Sequence, residues 1–167
     1  MHDLLTNLAN WIASTRLNLF FATAEGLIPA SQSIHILAFS VVFGSCLMIS
    51  LRLLGVGASG RSVSRLAQTL LPWRWWSLIA LLLTGLLQTI AEPARELGNP
   101  VFWAKMGMLV CVLALNVWFG RTVRARAATW DSAVTRPAGA RLFALASLLL
   151  WVGIVLCGRL IAYTWQQ

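Results

Sequence analysis

Polar and apolar positions do not alternate finely along this chain; they come in blocks. Four apolar runs stand out, at about Ser31–Leu51, Trp75–Ala91, Val101–Phe119 and Leu142–Tyr163. About 20 residues of helix cross the hydrocarbon of a bilayer, and each run comes close to or exceeds that length. Ahead of them, Asp3–Leu27 has a different texture. Leu4, Leu8, Trp11 and Ile12 recur at helical spacing, with Thr6, Asn7, Asn10 and Ser14 between them, and Arg16, Asn18 and Glu25 make the stretch too polar to span. It is predicted to be one amphipathic helix lying in the membrane interface, with Asp3 as its N-cap and Pro29 ending it. The pattern divides the chain into an interfacial helix, residues 1–28, and a four-transmembrane-helix domain, residues 29–167. Short connections between long helices predict an all-α, up-down four-helix bundle.

Composition strengthens this reading. The 167 residues are 59% hydrophobic and 11% charged, with a mean hydropathy of +0.76. Soluble domains carry about 25% charged residues. The net charge is +8. In a soluble protein that excess would raise nucleic acid as a partner; here the arginines sit in short loops between apolar runs, so no nucleic-acid role is expected. The first loop and its flanks carry Arg52, Arg61, Arg65 and Arg74, and the third carries Arg121, Arg124, Arg126, Arg136 and Arg141. The second carries Glu92, Arg95 and Glu96. Basic residues are retained on the cytoplasmic side. Loops one and three are therefore expected inside, and loop two and both termini outside, in a bacterial inner membrane. Trp73, Trp75, Trp76, Trp103 and Trp165 sit near run ends, as interfacial tryptophans do. The start, Met1-His2-Asp3-Leu4, has no positive n-region, so the first spanning helix is expected to act as its own uncleaved signal.

Cys46, Cys111 and Cys157 are an odd set, each inside an apolar run, with no Cys-x-x-Cys. The odd number within apolar runs argues against a disulfide framework, and the spacing excludes a zinc ribbon and covalent haem attachment. Ser40/Gly44 and Gly153/Cys157 are small-xxx-small steps where another helix could approach.

An ionisable residue within a span costs about 2.5–3.5 kcal/mol on insertion scales and marks a functional hypothesis. His35, Lys105 and Arg159 each fall about one turn inside the outer ends of runs one, three and four, and Glu92 closes the outer end of run two. Thr84, Gln88 and Glu92 share one helical face, as do Gln32, His35, Phe39, Val42 and Cys46, and again Lys105, Met108, Val112 and Asn116. Turned inward, these stripes make a polar outer mouth above an apolar floor. Such a mouth suits a b-type haem held by the neutral imidazole of His35, with Lys105, Arg95 and Arg159 as cations for its propionates and Gln32 beside the ligand. His2 or Met106 would be the second axial ligand, unless the haem is five-coordinate or shared across a homodimer. Copper is the alternative metal, drawing on His35, Met106, Met108 and the cysteines; a quinone or small anion would also use His35 and Lys105. The plainer readings are structural. His35 would then be a packing residue, Lys105 and Arg159 would snorkel, Glu92 would pair with Arg95, and Asn116 would bond across helices.

Two segments also carry a resemblance. Ser33-Ile-His35-Ile-Leu-Ala-Phe-Ser-Val-Val-Phe-Gly44-Ser, continuing to Leu51-Arg52-Leu-Leu-Gly55, and Asn99-Pro100-Val-Phe102-Trp-Ala-Lys105-Met-Gly-Met-Leu-Val, continuing to Asn116 and Arg121, resemble the first and third helices of a family of small bacterial four-helix membrane proteins. That family looks related to the copper-resistance-D membrane domain and, more distantly, to the haem-containing protoporphyrinogen oxidase of the J type. The resemblance implies a role for His35 as haem or metal ligand with Lys105 beside it. Asn116-Val117-Trp118 stands where the oxidase has a Tyr-His pair, so oxidase activity is not expected. The sequence thus predicts a non-enzymatic or electron-transfer haem protein, with copper or small-ligand transport as one alternative and an accessory subunit of a larger membrane complex as another.

Overall fold

The computed structural model of the chain describes residues 2–55, 63–132 and 138–164. Arg61, Arg136 and Trp165 lie outside them. Among the described residues the structure is wholly helical apart from turns. Four helices are long and apolar enough to cross a bilayer: α3 (Leu27–Leu54), α4 (Val63–Ala91), α6 (Pro100–Ser132) and α7 (Ala138–Thr164). Their spanning stretches have mean hydropathies of 2.2, 1.4, 1.7 and 2.2. The chain is therefore a multi-pass membrane protein with an all-α bundle.

All four apolar runs are present, but the helices outlast them. α4 begins at Val63 rather than near Trp75, and α6 runs on from Phe119 to Ser132. Apolarity marks the part of a helix in lipid, whereas the helix itself ends only where the backbone is stopped. Arg65, Gln68 and Arg121 are good helix formers and carry their helices on. Gly55 does stop α3: at φ 85° its N–H turns back to the carbonyls of Arg52 and Leu51.

α3 packs most extensively on α4 and α6 on α7; α3 meets α7 over an intermediate surface, and α4 meets α6 over the smallest. The spans thus form an antiparallel ring. One end, the α5 end, carries α1 (His2–Ala13), α2 (Arg16–Thr23) and the single-turn helix α5 (Pro93–Leu97); the other carries the α3–α4 connection. Near that second end, Ile49, Leu53, Ala67, Phe119 and Phe143 form an apolar layer, with Phe119 stacked on Phe143 at 4.3 Å. Val42, Leu78, Val112, Trp151 and Ile154 form another in mid-bundle. Large side chains such as Ile36, Leu82 and Leu149 point outward, where a membrane protein meets lipid. The Ser40/Gly44 step carries no close approach: Ser40 is exposed, and a Cβ on Gly44 would meet nothing within 4 Å. The tight contact is at Gly153, where a Cβ would lie 2.8 Å from the Met108 sulfur.

The expected single amphipathic helix is two, α1 and α2. The break is chemical. The hydroxyls of Ser14 and Thr15 donate to the carbonyls of Trp11 and Ile12, and Thr15 then caps α2 by accepting from the Asn18 N–H. Asp3 lies inside α1, so it is not the N-cap. Pro29 does not end a helix either; it occupies the first turn of α3, where its missing N–H removes no intrahelical bond. Asn18 reaches across to donate to the carbonyls of Ile90 and Ala91 at the end of α4, at 2.7 and 3.1 Å. Ala9 of α1 is buried with Leu97, Phe102 and Ile161. The N-terminal segment is thereby fastened across the α5 end of the bundle.

Candidate functional site

His35 sits on α3, half-buried, about two turns from the helix start. Its Nδ1 lies 2.8 Å from the hydroxyl of Thr84 on α4. That hydroxyl has one proton, and it donates it to the carbonyl of Ala80 one turn back, at 2.7 Å. The threonine oxygen is then an acceptor toward the ring, so Nδ1 carries the imidazole proton and donates. Nε2 keeps its lone pair. The ring lies against Gly85, where a Cβ would make ordinary contact with it, 3.5 Å from His35 Cε1.

Two more polar groups come to the same place. Gln88, one turn beyond Thr84 on the same face of α4, has a buried Nε2 with no partner. Lys105 of α6 is half-buried, and its charge acts on the His35 ring. Among the described residues none forms an ion pair with Lys105. The result is a lone pair, an orphaned amide and a free ammonium contributed by α3, α4 and α6 toward the α5 end of the bundle.

The remaining candidates lie elsewhere. Arg159 is exposed and engaged on its own helix, where it donates to the Tyr163 hydroxyl at 3.1 Å and lies over that ring at 5.5 Å. α7 therefore contributes no cation to the group around His35. Glu92 is joined to Arg95, which also lies 3.6 Å from buried Glu96, so these three form a local ion-pair cluster on α5. Gln32 is exposed. Met106 packs against the Ala9, Leu97, Phe102 and Ile161 cluster, on a different face of α6 from Lys105. Among the described residues no three His, Cys, Asp or Glu side chains gather into a metal-binding group, and the three cysteines are free.

The expected mouth thus contracts from four helices to three, at His35, Thr84, Gln88 and Lys105. Below it, the predicted inward stripe on α6 does face the core: Val112 and Asn116 are buried, and Met108 rests on Gly153. Asn116, expected to bond across helices, has no partner for either side-chain polar atom. Arg74, counted above with the loop charges, is buried inside α4 at 2% exposure. Its position was visible in the spacing. Ala67, Leu71, Arg74, Leu78, Leu81 and Gln88 recur at steps of three, four and seven, which put Arg74 on the inward stripe of α4. At the α5 end an open groove of about 410 Å³ runs between α1, α5 and the starts and ends of the spans, lined by Ala9, Asn10, Ala94 and Thr164 among others.

The sequence matches the Family of unknown function (DUF6644) over residues 8–164, which takes in all four spanning helices. No curated protein and no solved structure matches the chain.

Proposed function

We propose that this chain, which belongs to the Family of unknown function (DUF6644), is an inner-membrane electron-transfer protein that binds a b-type haem at the α5 end of its bundle through Nε2 of His35. The observation that carries the reading is the His35–Thr84 bond. A ligating histidine donates its other ring N–H to a neighbouring acceptor, which fixes the tautomer and aims the lone pair. Thr84 provides that acceptor.

The neighbouring groups suit the same ligand. Haem propionates need cations or N–H donors in a poorly solvated setting. Lys105 is a free cation near the ring, and Gln88 offers an orphaned buried amide. His35 is the one axial ligand these side chains supply, so the haem would be five-coordinate or completed by a second copy. Bound there, it would supply a one-electron couple. Copper has less support: Cu(I) prefers several soft ligands, and Met106 is packed away against Phe102 and Ile161.

Orientation belongs to the same proposal. Arg52, Arg65, Arg121 and Arg141 lie toward the α3–α4 end, which we place in the cytoplasm. The α5 end, with the His35 site and both termini, then faces the periplasm.

The deciding experiment is an absorption spectrum of protein purified from haem-replete cells, oxidised and then reduced with dithionite. The expected result is a Soret band that shifts on reduction and is lost in His35→Ala. A colourless preparation overturns the haem reading. A colourless preparation that co-purifies with other membrane subunits would assign the chain to the accessory class instead.

A further inference from the structure

Between the two apolar layers of the bundle lies a band of polar side chains drawn from all four spanning helices. Cys46 and Ser50 come from α3, Arg74 from α4, Asn116 from α6, and Ser147 and Trp151 from α7; none is more than 2% exposed. The Cys46 sulfur marks its centre. Ser50 Oγ lies 3.8 Å from it, the polar atoms of Ser147 and Trp151 come near it, and the Arg74 charge reaches it. Those of Ser147 and Trp151 fall short of hydrogen-bond geometry. Asn116 lies near the level of Ser147, because Phe119 stacks on Phe143 and Met108 faces Gly153.

The chemistry of the band is lopsided. Arg74 Nη2, Asn116 Nδ2, Trp151 Nε1 and Ser147 Oγ are buried without partners, and Asn116 Oδ1 is the one orphan that can only accept. The carboxylates in the described ion pairs, Glu92 and Glu96, are held by Arg95 at the α5 end. A guanidinium taken out of water without a counter-charge is strongly unfavourable, and so is each unmet N–H. Four donors from three helices around one uncompensated positive charge describe the surroundings of an anion.

We propose that Arg74, Asn116, Ser147 and Trp151 form an internal binding site for a small inorganic monoanion of the halide class. One guanidinium calls for one negative charge. Donors arriving from several directions suit a spherical acceptor. Apolar side chains bound the band above and below, Val42 and Val112 on one side and Phe119 on the other. Neither His35 nor a haem enters the argument, so the two proposals stand or fall separately.

The test uses the full chain purified in detergent, with thermal unfolding followed as gluconate is replaced by chloride or bromide at constant ionic strength. Holding ionic strength fixed removes general screening from the comparison. A ligand that binds only the folded state raises Tm with its concentration. The expected result is a saturating rise of a few degrees in chloride and bromide. Arg74→Gln should abolish it, while Arg159→Gln, which removes an exposed guanidinium, should leave it intact. Trp151→Phe keeps a ring against Phe39 but lacks the N–H, and should raise the half-saturating chloride concentration severalfold; this variant and the wild-type titration decide the matter if Arg74→Gln does not fold. The same Tm in chloride and gluconate overturns the proposal, as does an undiminished chloride response in Arg74→Gln. A halide-independent Tm that falls on Cys46→Ser would assign the counter-charge to the Cys46 sulfur, and it too overturns the proposal.

Discussion

Thr84 does for His35 what a second protein group does for most ligating histidines: it takes up one ring N–H so that the other nitrogen is presented as a lone pair. The consequence is a graded set of variants. Thr84→Val keeps the shape and removes the acceptor, and losses of such partners cost about 10–100-fold in metal affinity. Haem retained per protein after purification should fall by that order in Thr84→Val and recover in Thr84→Ser, whereas His35→Ala should retain none. Equal retention in Thr84→Val and wild type would show that the hydroxyl does not orient the ligand. Lys105→Met tests a different term. A hydrogen bond to a charged group is worth about 1.5–3 kcal/mol, so haem titrated into the apoprotein should bind roughly tenfold or more weakly, with the Soret position unchanged. His35 and Lys105 were legible in the sequence because an ionisable residue within an apolar run is conspicuous. Gln88 and Thr84 were legible only as a stripe, since nothing in the sequence says which hydroxyl accepts from which ring. Arg74 escaped because its neighbours Trp73, Trp75 and Trp76 look interfacial. Two of these are well exposed, at 66% and 71%, while Arg74 between them points inward.

At the level of elements, hydropathy located the spans but not the helix ends, because different physics sets the two. Burial in lipid decides where a run is apolar; a cap, a glycine or a proline decides where a helix stops. Gly55 is the clear case. Its φ of 85° lies in the left-handed region, where a Cβ costs about 1–2 kcal/mol. Gly55→Ala should destabilise the chain by about that amount in a reversible unfolding assay, while the spectrum of the bound haem stays the same. Asn99 has a larger role. Its Oδ1 accepts from the Val101 N–H at the start of α6, and its Nδ2 donates to the Thr164 hydroxyl at the end of α7, at 2.9 and 2.7 Å. Removing a cap costs about 1 kcal/mol, and losing the bond to Thr164 adds about as much. Asn99→Ala should therefore lose roughly 2 kcal/mol, and Thr164→Val roughly half of that; equal losses would mean the cap contributes nothing. The N-terminal segment shows the same limit on reading sequence. Its amphipathic period was visible, but the break at Ser14-Thr15 depends on side-chain bonds to the backbone that a hydrophobic pattern does not register.

For the molecule as a whole, the order of the spans and the contents of their ends are coupled. With four spans the two termini share a side, and the structure adds that α1, α2 and α5 close that side together, through Asn18 on the α4 carbonyls and Ala9 on the Leu97 and Ile161 cluster. The His35 group lies on the same side of the mid-bundle apolar layer, and the Arg74 band lies between that layer and the other end. One orientation in the membrane therefore decides two things at once: which compartment reaches the imidazole and which lies nearer the buried guanidinium. Positive charge retained inside predicts that a reporter fused after Arg126 reports the cytoplasm and one fused after Gln167 reports the periplasm. Because the N-terminal segment contributes only Arg16 against Glu25 and Asp3, orientation should depend on the loops. Replacing Arg52, Arg65, Arg121 and Arg141 together with asparagine should make both fusions ambiguous, whereas replacing Arg16 and Arg95 should not. If both wild-type fusions report the reverse, the same bundle presents the His35 imidazole to the cytoplasmic side, and the arginine-rich ends of α4 and α6 must be held outside by something other than their charge.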